Sequence, residues 1–173
     1  QHHVIDHYRK KPMPELRNVL VESARIARGD IQALSEYKPD DFDALVMPGG
    51  MGAAKNLCNY HKKGADMKII PEVKAAIINT HKLRKPIGAL CIAPVMLAKL
   101  IPKVTITMGA SEDAEKMTAA MGATNIRSTH GDVVIDTINN VFTTPCYMLD
   151  ASIKDIAEGA ENLIAAMLKK LNE

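Results

Sequence analysis

Apolar positions along this chain recur at two spacings, and the switches between them mark out its elements. From Arg17 to Arg28, Val19, Leu20, Ala24 and Ala27 fall at helical spacing and Gly29 follows, which predicts a helix closed by a glycine. Asp43 to Met47 is a short apolar run halted by Pro48-Gly49-Gly50, the pattern of a buried strand ending in a tight turn, with a helix expected from about Ala53. Glu72 to Leu83 carries Val73, Ala76 and Ile77 on one helical face, and Pro86 to Cys91 reads as a continuous apolar strand. Pro94 suits the first turn of a helix running to Leu100, because a missing N–H costs nothing there. Val104 to Met108 predicts a strand stopping at Gly109, and Glu112 to Met121 a helix closed by Gly122. Val133 to Thr137 and Val141 to Thr144 flank Asn139-Asn140, a hairpin signal, and Ile153 to Leu171 forms a long amphipathic helix.

Strands alternating with helices imply an α/β fold: a mostly parallel sheet covered on both faces. The 173 residues contain no repeat, low-complexity tract or long Gly/Ser linker, so one domain spanning 1–173 is expected. Lys and Arg number 22 against 20 Asp and Glu, and there is no Trp, so neither general electrostatics nor base stacking points to nucleic acid. The longest apolar stretch, Ile87 to Ala98, contains Pro94 and stops at Lys99, short of the roughly 20 residues that span a bilayer. Three cysteines, Cys58, Cys91 and Cys146, lack Cys-x-x-Cys spacing and suggest neither a disulfide framework nor a zinc knuckle; a reducing compartment follows. His2, His3, His7, His61 and His81 show no ligand spacing, so no metal site is expected. The opening Gln1-His2-His3 has no initiator Met and no signal or transit pattern, and reads as other than a natural start.

In open α/β sheets ligands bind beyond the carboxyl ends of the strands. Those positions here are Gly49-Gly50, Cys91-Ile92, Gly109-Ala110 and Thr144-Pro145. A cysteine between strand and helix has its sulfur near the positive helix end, where a thiolate is favoured, a layout matching the nucleophile elbow. The alternative for Cys91 is a small buried hydrophobe. Gly49-Gly50-Met51-Gly52 lets the backbone approach a substrate, and the Gly50 N–H with that of Ile92 is placed to form an oxyanion hole; an ordinary tight turn is the competing reading. As a dinucleotide fingerprint the segment is weak, since Lys55 holds the third glycine position. His130 sits in a loop ahead of a strand, Glu112 and Asp113 are placed to cap a helix, and Cys58 and Cys146 read as packing residues.

Four ordered motifs together resemble a known family: Arg17 to Gly29, Pro48-Gly49-Gly50-Met51-Gly52-Ala53-Ala54-Lys55-Asn56-Leu57, Lys85 to Pro94 around Cys91, and Thr143-Thr144-Pro145 with Tyr147-Met148. They are similar to the enhancing-lycopene-biosynthesis branch of the PfpI-like, class I glutamine-amidotransferase-like superfamily, over essentially the whole chain. The resemblance implies a flavodoxin-like three-layer sandwich, a homodimer, no cofactor, and Cys91 as the nucleophile. It further implies Gly50 and Ile92 as oxyanion donors, with Gly49, Thr144 and Pro145 beside the substrate. Superfamily members include glutathione-independent glyoxalases, deglycases, proteases and chaperone-like proteins. The implied function is therefore Cys-dependent chemistry on a small reactive aldehyde, converting methylglyoxal to lactate, with a redox-sensing or chaperone-like module as the alternative. The implied compartment is the cytoplasm, with the mitochondrial matrix as alternative.

Two departures from the family pattern carry expectations. Members begin with a strand, a loop bearing a glutamate that meets the cysteine, a helix and a second strand; the resemblance implies that this chain starts after them, and a fragment lacking roughly 40–50 residues is expected. An unfilled central place in the sheet and the loss of the acid/base partner of Cys91 are then expected. Where many members carry a histidine after the next strand, this chain has Gly109-Ala110-Ser111-Glu112, so no Cys-His pair is visible, and His130-Gly131-Asp132 does not supply the His-x-Glu of glutaminase chemistry.

Overall fold

Residues 1–173 are all described by the computed structural model. They gather in two compact units, 1–37 and 38–173. In the first unit β1 (Val4–Asp6) pairs antiparallel with β2 (Lys11–Met13), a hairpin the apolar pattern does not announce. Its turn is held by Asp6, whose carboxylate accepts the Tyr8 and Arg9 N–H groups at 3.0 Å each. The expected first helix is α1 (Val19–Ile26), capped by the Asn18 side chain, which accepts from the Leu20 and Val21 N–H groups. No residue of α1 is buried.

In the second unit, β3 (Leu45–Met47), β4 (Ile87–Leu90), β8 (Val141–Thr144) and β7 (Val134–Asp136) lie side by side in that order. The first three are parallel and β7 is antiparallel to β8, joined to it through the expected hairpin at Asn139-Asn140. An unfilled place within this sheet is expected from the resemblance, and here the structure corrects it. Leu45 pairs with Ile87, Val46 with Gly88 and Met47 with Ala89, so β3 is bonded directly to β4 and stands at the sheet edge. The connection from β3 to β4 is a helical crossover of several turns, and strands consecutive in sequence commonly settle as neighbours in this way.

Further along the chain, β5 (Thr105–Ile106) and β6 (Thr124–Asn125) form a separate parallel pair. Side chains tie β5 to the main sheet: Asp136 accepts the Thr105 N–H at 2.8 Å, and the Thr143 hydroxyl accepts the Thr107 N–H at 2.9 Å. Burial pushes the Asp136 carboxyl up, but the Asn139 side chain and the Thr105, Asn139 and Ile138 N–H groups outweigh it and hold the group below its usual range.

Helices cover both faces, giving the expected three layers. Around Ile77 of α3 (Pro71–Lys82), Val95 and Leu97 of α4 (Pro94–Leu100) and Ala114 of α5 (Glu112–Ala120) runs the larger core. On the other face α6 (Ile153–Leu171) buries Leu163 and Met167 against Phe142. A Cβ on Gly88 would lie 2.5 Å from the Met167 sulfur, so the missing side chain is what lets α6 settle on β4. The helix expected from Ala53 is a short π-helical turn, Ala53–Leu57, followed by the single helical turn α2 (Tyr60–Lys63). No helix is long and apolar enough to cross a membrane.

Candidate active site

Strand β4 delivers Cys91 to the carboxyl edge of the sheet, and the backbone there reverses sharply. Cys91 has φ +58°, a left-handed conformation that a side chain bearing Cβ adopts at a cost of about 1–2 kcal/mol. The strain is held by bonds on both sides. The Cys91 N–H donates to the Thr144 carbonyl at 3.0 Å, and the Ala93 N–H donates back to the Leu90 carbonyl at 3.0 Å before α4 starts at Pro94. The resulting cysteine is half-buried, whereas Cys58 and Cys146 are buried.

The glycine turn after β3 is pressed against this elbow. A Cβ on Gly49 would lie 2.6 Å from the Leu90 carbonyl oxygen, 2.8 Å from the Cys91 Cβ and 2.8 Å from the Ile92 nitrogen. Gly49, Cys91 and Ile92 therefore converge, whereas the sequence reading pairs Gly50 with Ile92 across from Cys91. Gly50, with φ +87° and open space where a side chain would sit, turns the chain away at the surface. Thr144 and Pro145 stand at the next strand end and are both buried. Thr144 meets the elbow through its carbonyl; its hydroxyl faces the other layer, 2.9 Å from where a Gly159 Cβ would be, and has no hydrogen-bond partner.

Other chemistry-bearing residues have structural partners. His61 Nδ1 lies 3.1 Å from the Ala54 carbonyl, and His81 Nε2 lies 3.3 Å from the Asn139 side-chain oxygen. His130 is exposed beside Asp155, whose carboxyl is held low mainly by its capping bonds with Ser152 and in smaller part by the His130 charge. Glu112 and Asp113 open α5 behind the Ser111 cap, the role their position suggests. Cys58 packs with its sulfur 3.6 Å from the Ala53 carbonyl, and burial pushes its thiol up. No group of three or more His, Cys, Asp and Glu side chains is arranged to hold a metal ion. A cavity of about 160 Å³ between α4 and α5 is walled by Val95, Met108, Met117 and Met148, and its walls do not include Cys91.

Cys146, read from the sequence as a packing residue, is indeed buried, but it also lies beside the elbow. Burial raises its thiol, the charge of Cys91 raises it further, and the nearby Cys91 N–H works in the opposite direction. Cys146 has φ +47°, so both cysteines at this edge hold left-handed backbone. The signal was two apolar strands each ending at a cysteine, but their adjacency lies in the pairing of β4 with β8.

No family model matches the chain. It is 39% identical over 183 aligned positions to the ES1 protein homolog, mitochondrial, of Rattus norvegicus, covering 100% of this chain and 67% of that protein. To the glutamine amidotransferase-like class 1 domain-containing protein 3, mitochondrial, of Homo sapiens it is 38% identical with the same coverage. The crystal structure of an isoprenoid biosynthesis protein with an amidotransferase-like domain from Ehrlichia chaffeensis superposes with a TM-score of 0.88 at 35% identity, covering 97% of this chain and 78% of that one.

Proposed function

Because this chain belongs to the glutamine amidotransferase-like class 1 family that includes the ES1 proteins, we propose that Cys91 is the nucleophile of an enzyme acting on small reactive aldehydes. The observation that carries this reading is the left-handed elbow at Cys91, half-exposed and packed against Gly49 and the Ile92 N–H. With methylglyoxal as substrate, the Cys91 thiolate adds to the aldehyde carbon and forms a hemithioacetal. The Gly50 and Ile92 N–H groups hold the oxyanion and Gly49 walls it, while the buried Thr144 and Pro145 back the elbow from behind. A base moves the proton from the former aldehyde carbon to the neighbouring carbon through an enediol, giving a thioester. Water then releases lactate and restores the thiol. The sequence balances with water alone and calls for no cofactor.

Similarity to the Ehrlichia isoprenoid biosynthesis protein supports placing the chain in the enhancing-lycopene-biosynthesis branch. A homodimer taking a small-molecule aldehyde, with neither nucleic acid nor a membrane as partner, belongs to the same proposal. The mitochondrial designation of the rat and human relatives supports the mitochondrial matrix in place of the cytoplasm.

Lactate formation from methylglyoxal tests the reading. Cys91→Ala is expected to abolish it and Cys58→Ala to leave it intact; equal loss in both variants would assign the effect to folding and remove the proposal. A second reading, a redox-sensing or chaperone-like module using the same cysteine, draws on Cys91 being the most accessible of the three thiols. In that reading Cys91 binds no aldehyde, and mild peroxide modifies it ahead of Cys58 and Cys146.

A further inference from the structure

Two cysteines leave the sheet side by side. Strands β4 and β8 are paired with Leu90 opposite Thr144, and neighbouring strands lie about 4.8 Å apart. Cys91 is the first residue beyond that pair on one strand and Cys146 the second on the other. The chain does not run straight on from Thr144: Pro145 takes helical angles (φ −76°, ψ −29°) and starts a tight turn over Cys146–Met148. That turn keeps Cys146 close to the end of the ladder, where the Cys91 N–H donates to the Thr144 carbonyl at 3.0 Å and the two cysteines act on each other electrostatically. Leu90 faces Thr144, so Cys91 and Cys146 stand one position out of register at the end of the ladder, and a disulfide joining them must bring their Cα atoms to roughly 4.4–6.8 Å. Cys58 is elsewhere, its sulfur on the Ala53 and Ala54 carbonyls.

The geometry points to Cys146 as the resolving thiol of Cys91, so that a peroxide converts the pair to an intramolecular disulfide and switches the site off. The Cys91 thiolate attacks one peroxide oxygen; a sulfur–oxygen bond forms, the O–O bond breaks, and the departing oxygen leaves as water after taking up a proton. Cys146 then loses its proton and attacks the Cys91 sulfenic sulfur; the S–S bond forms, the sulfur–oxygen bond breaks, and a second water leaves. Two sulfurs are oxidised by two electrons in all and one peroxide is reduced to two waters. A disulfide leaves no thiolate to add to an aldehyde, and a dithiol reductant restores it by exchange. As regulation of the aldehyde site this rests on the function proposed above, whereas the disulfide itself does not.

Hydrogen peroxide is the probe, with blocking of free thiols, intact mass and peptide mapping as the readout. The oxidised wild type is expected to lose about 2 Da and to yield one peptide pair joining Cys91 to Cys146, and a dithiol should reverse both. Cys58→Ala should keep the link, whereas Cys146→Ala and Cys146→Ser should instead gain about 32 Da at Cys91 as the sulfinic acid forms. Having both substitutions guards against one that misfolds. Sulfinic acid at Cys91 in the wild type with Cys146 still free, a bond to Cys58, or a bond between chains would each overturn the inference. Methylglyoxal turnover is scored separately in reducing buffer, so a linked but inactive protein would reject the aldehyde chemistry and keep the switch.

Discussion

Replacing Gly49 with alanine probes the elbow most directly. Gly49 has no left-handed angle to defend, so the effect is one of space. The added carbon would sit 2.6 Å from the Leu90 carbonyl oxygen and 2.8 Å from both the Cys91 Cβ and the Ile92 nitrogen. Two of those atoms are backbone and cannot rotate aside, so the elbow itself must shift; overpacking of this kind costs about 2–3 kcal/mol. Two neighbours calibrate it. Gly50→Ala meets nothing within 4 Å but must hold φ +87°, a strain of about 1–2 kcal/mol. Gly52 is already helical (φ −60°, ψ −46°) with only the Asn56 amide at 4.0 Å, so Gly52→Ala is expected to gain about 0.4–1 kcal/mol. Urea unfolding should rank the three in that order. With a slope near ~2 kcal/mol per molar, Gly49→Ala moves the midpoint down by about 1–1.5 M. The rate of iodoacetamide reaction at Cys91 should change in Gly49→Ala and hold in Gly52→Ala. A Gly49→Ala midpoint equal to that of Gly52→Ala would refute the close packing of turn and elbow.

Other outcomes follow from the same geometry. Cys91→Gly should stabilise the fold by about 1 kcal/mol relative to Cys91→Ala in thermal or urea unfolding, because glycine relieves the left-handed strain. Gly88→Ala should cost less than Gly49→Ala despite its 2.5 Å contact, since the Met167 and Leu163 ends it meets can rotate away; a larger midpoint shift would contradict this. Asp136→Ala leaves the Thr105 N–H and the Asn139 amide without their acceptor, for a loss of about 3 kcal/mol in the same assay. Because the folded Asp136 carboxyl lies below its usual range, its contribution is full above the unfolded value of about 3.9 and fades as pH falls toward the folded one. Midpoints measured from pH 5 down to pH 3 should fall less steeply in Asp136→Asn than in the wild type.

Much of this was legible along the chain because it depends on neighbours in sequence. The apolar runs at Leu45–Met47, Ile87–Leu90 and Val141–Thr144, the Pro94 start of α4 and the helical face of Ile153–Leu171 each follow from local periodicity, and they suffice to place Cys91 between a strand and a helix. The Pro48-Gly49-Gly50 stop and the Pro94 helix start also tell where those strands end, so Gly49-Gly50 and Cys91-Ile92 could both be named as strand ends, though not that Gly49, rather than Gly50, packs on the elbow. Which strand lies beside which could not be read, since pairing is settled by long-range burial and backbone bonding. That pairing put β3 directly against β4, made Asp136 the link that ties β5 to the sheet, and turned the Thr144 hydroxyl toward α6 instead of the elbow. It also brought Cys146 to Cys91: the two are far apart along the chain, and only the ladder between β4 and β8 makes them neighbours.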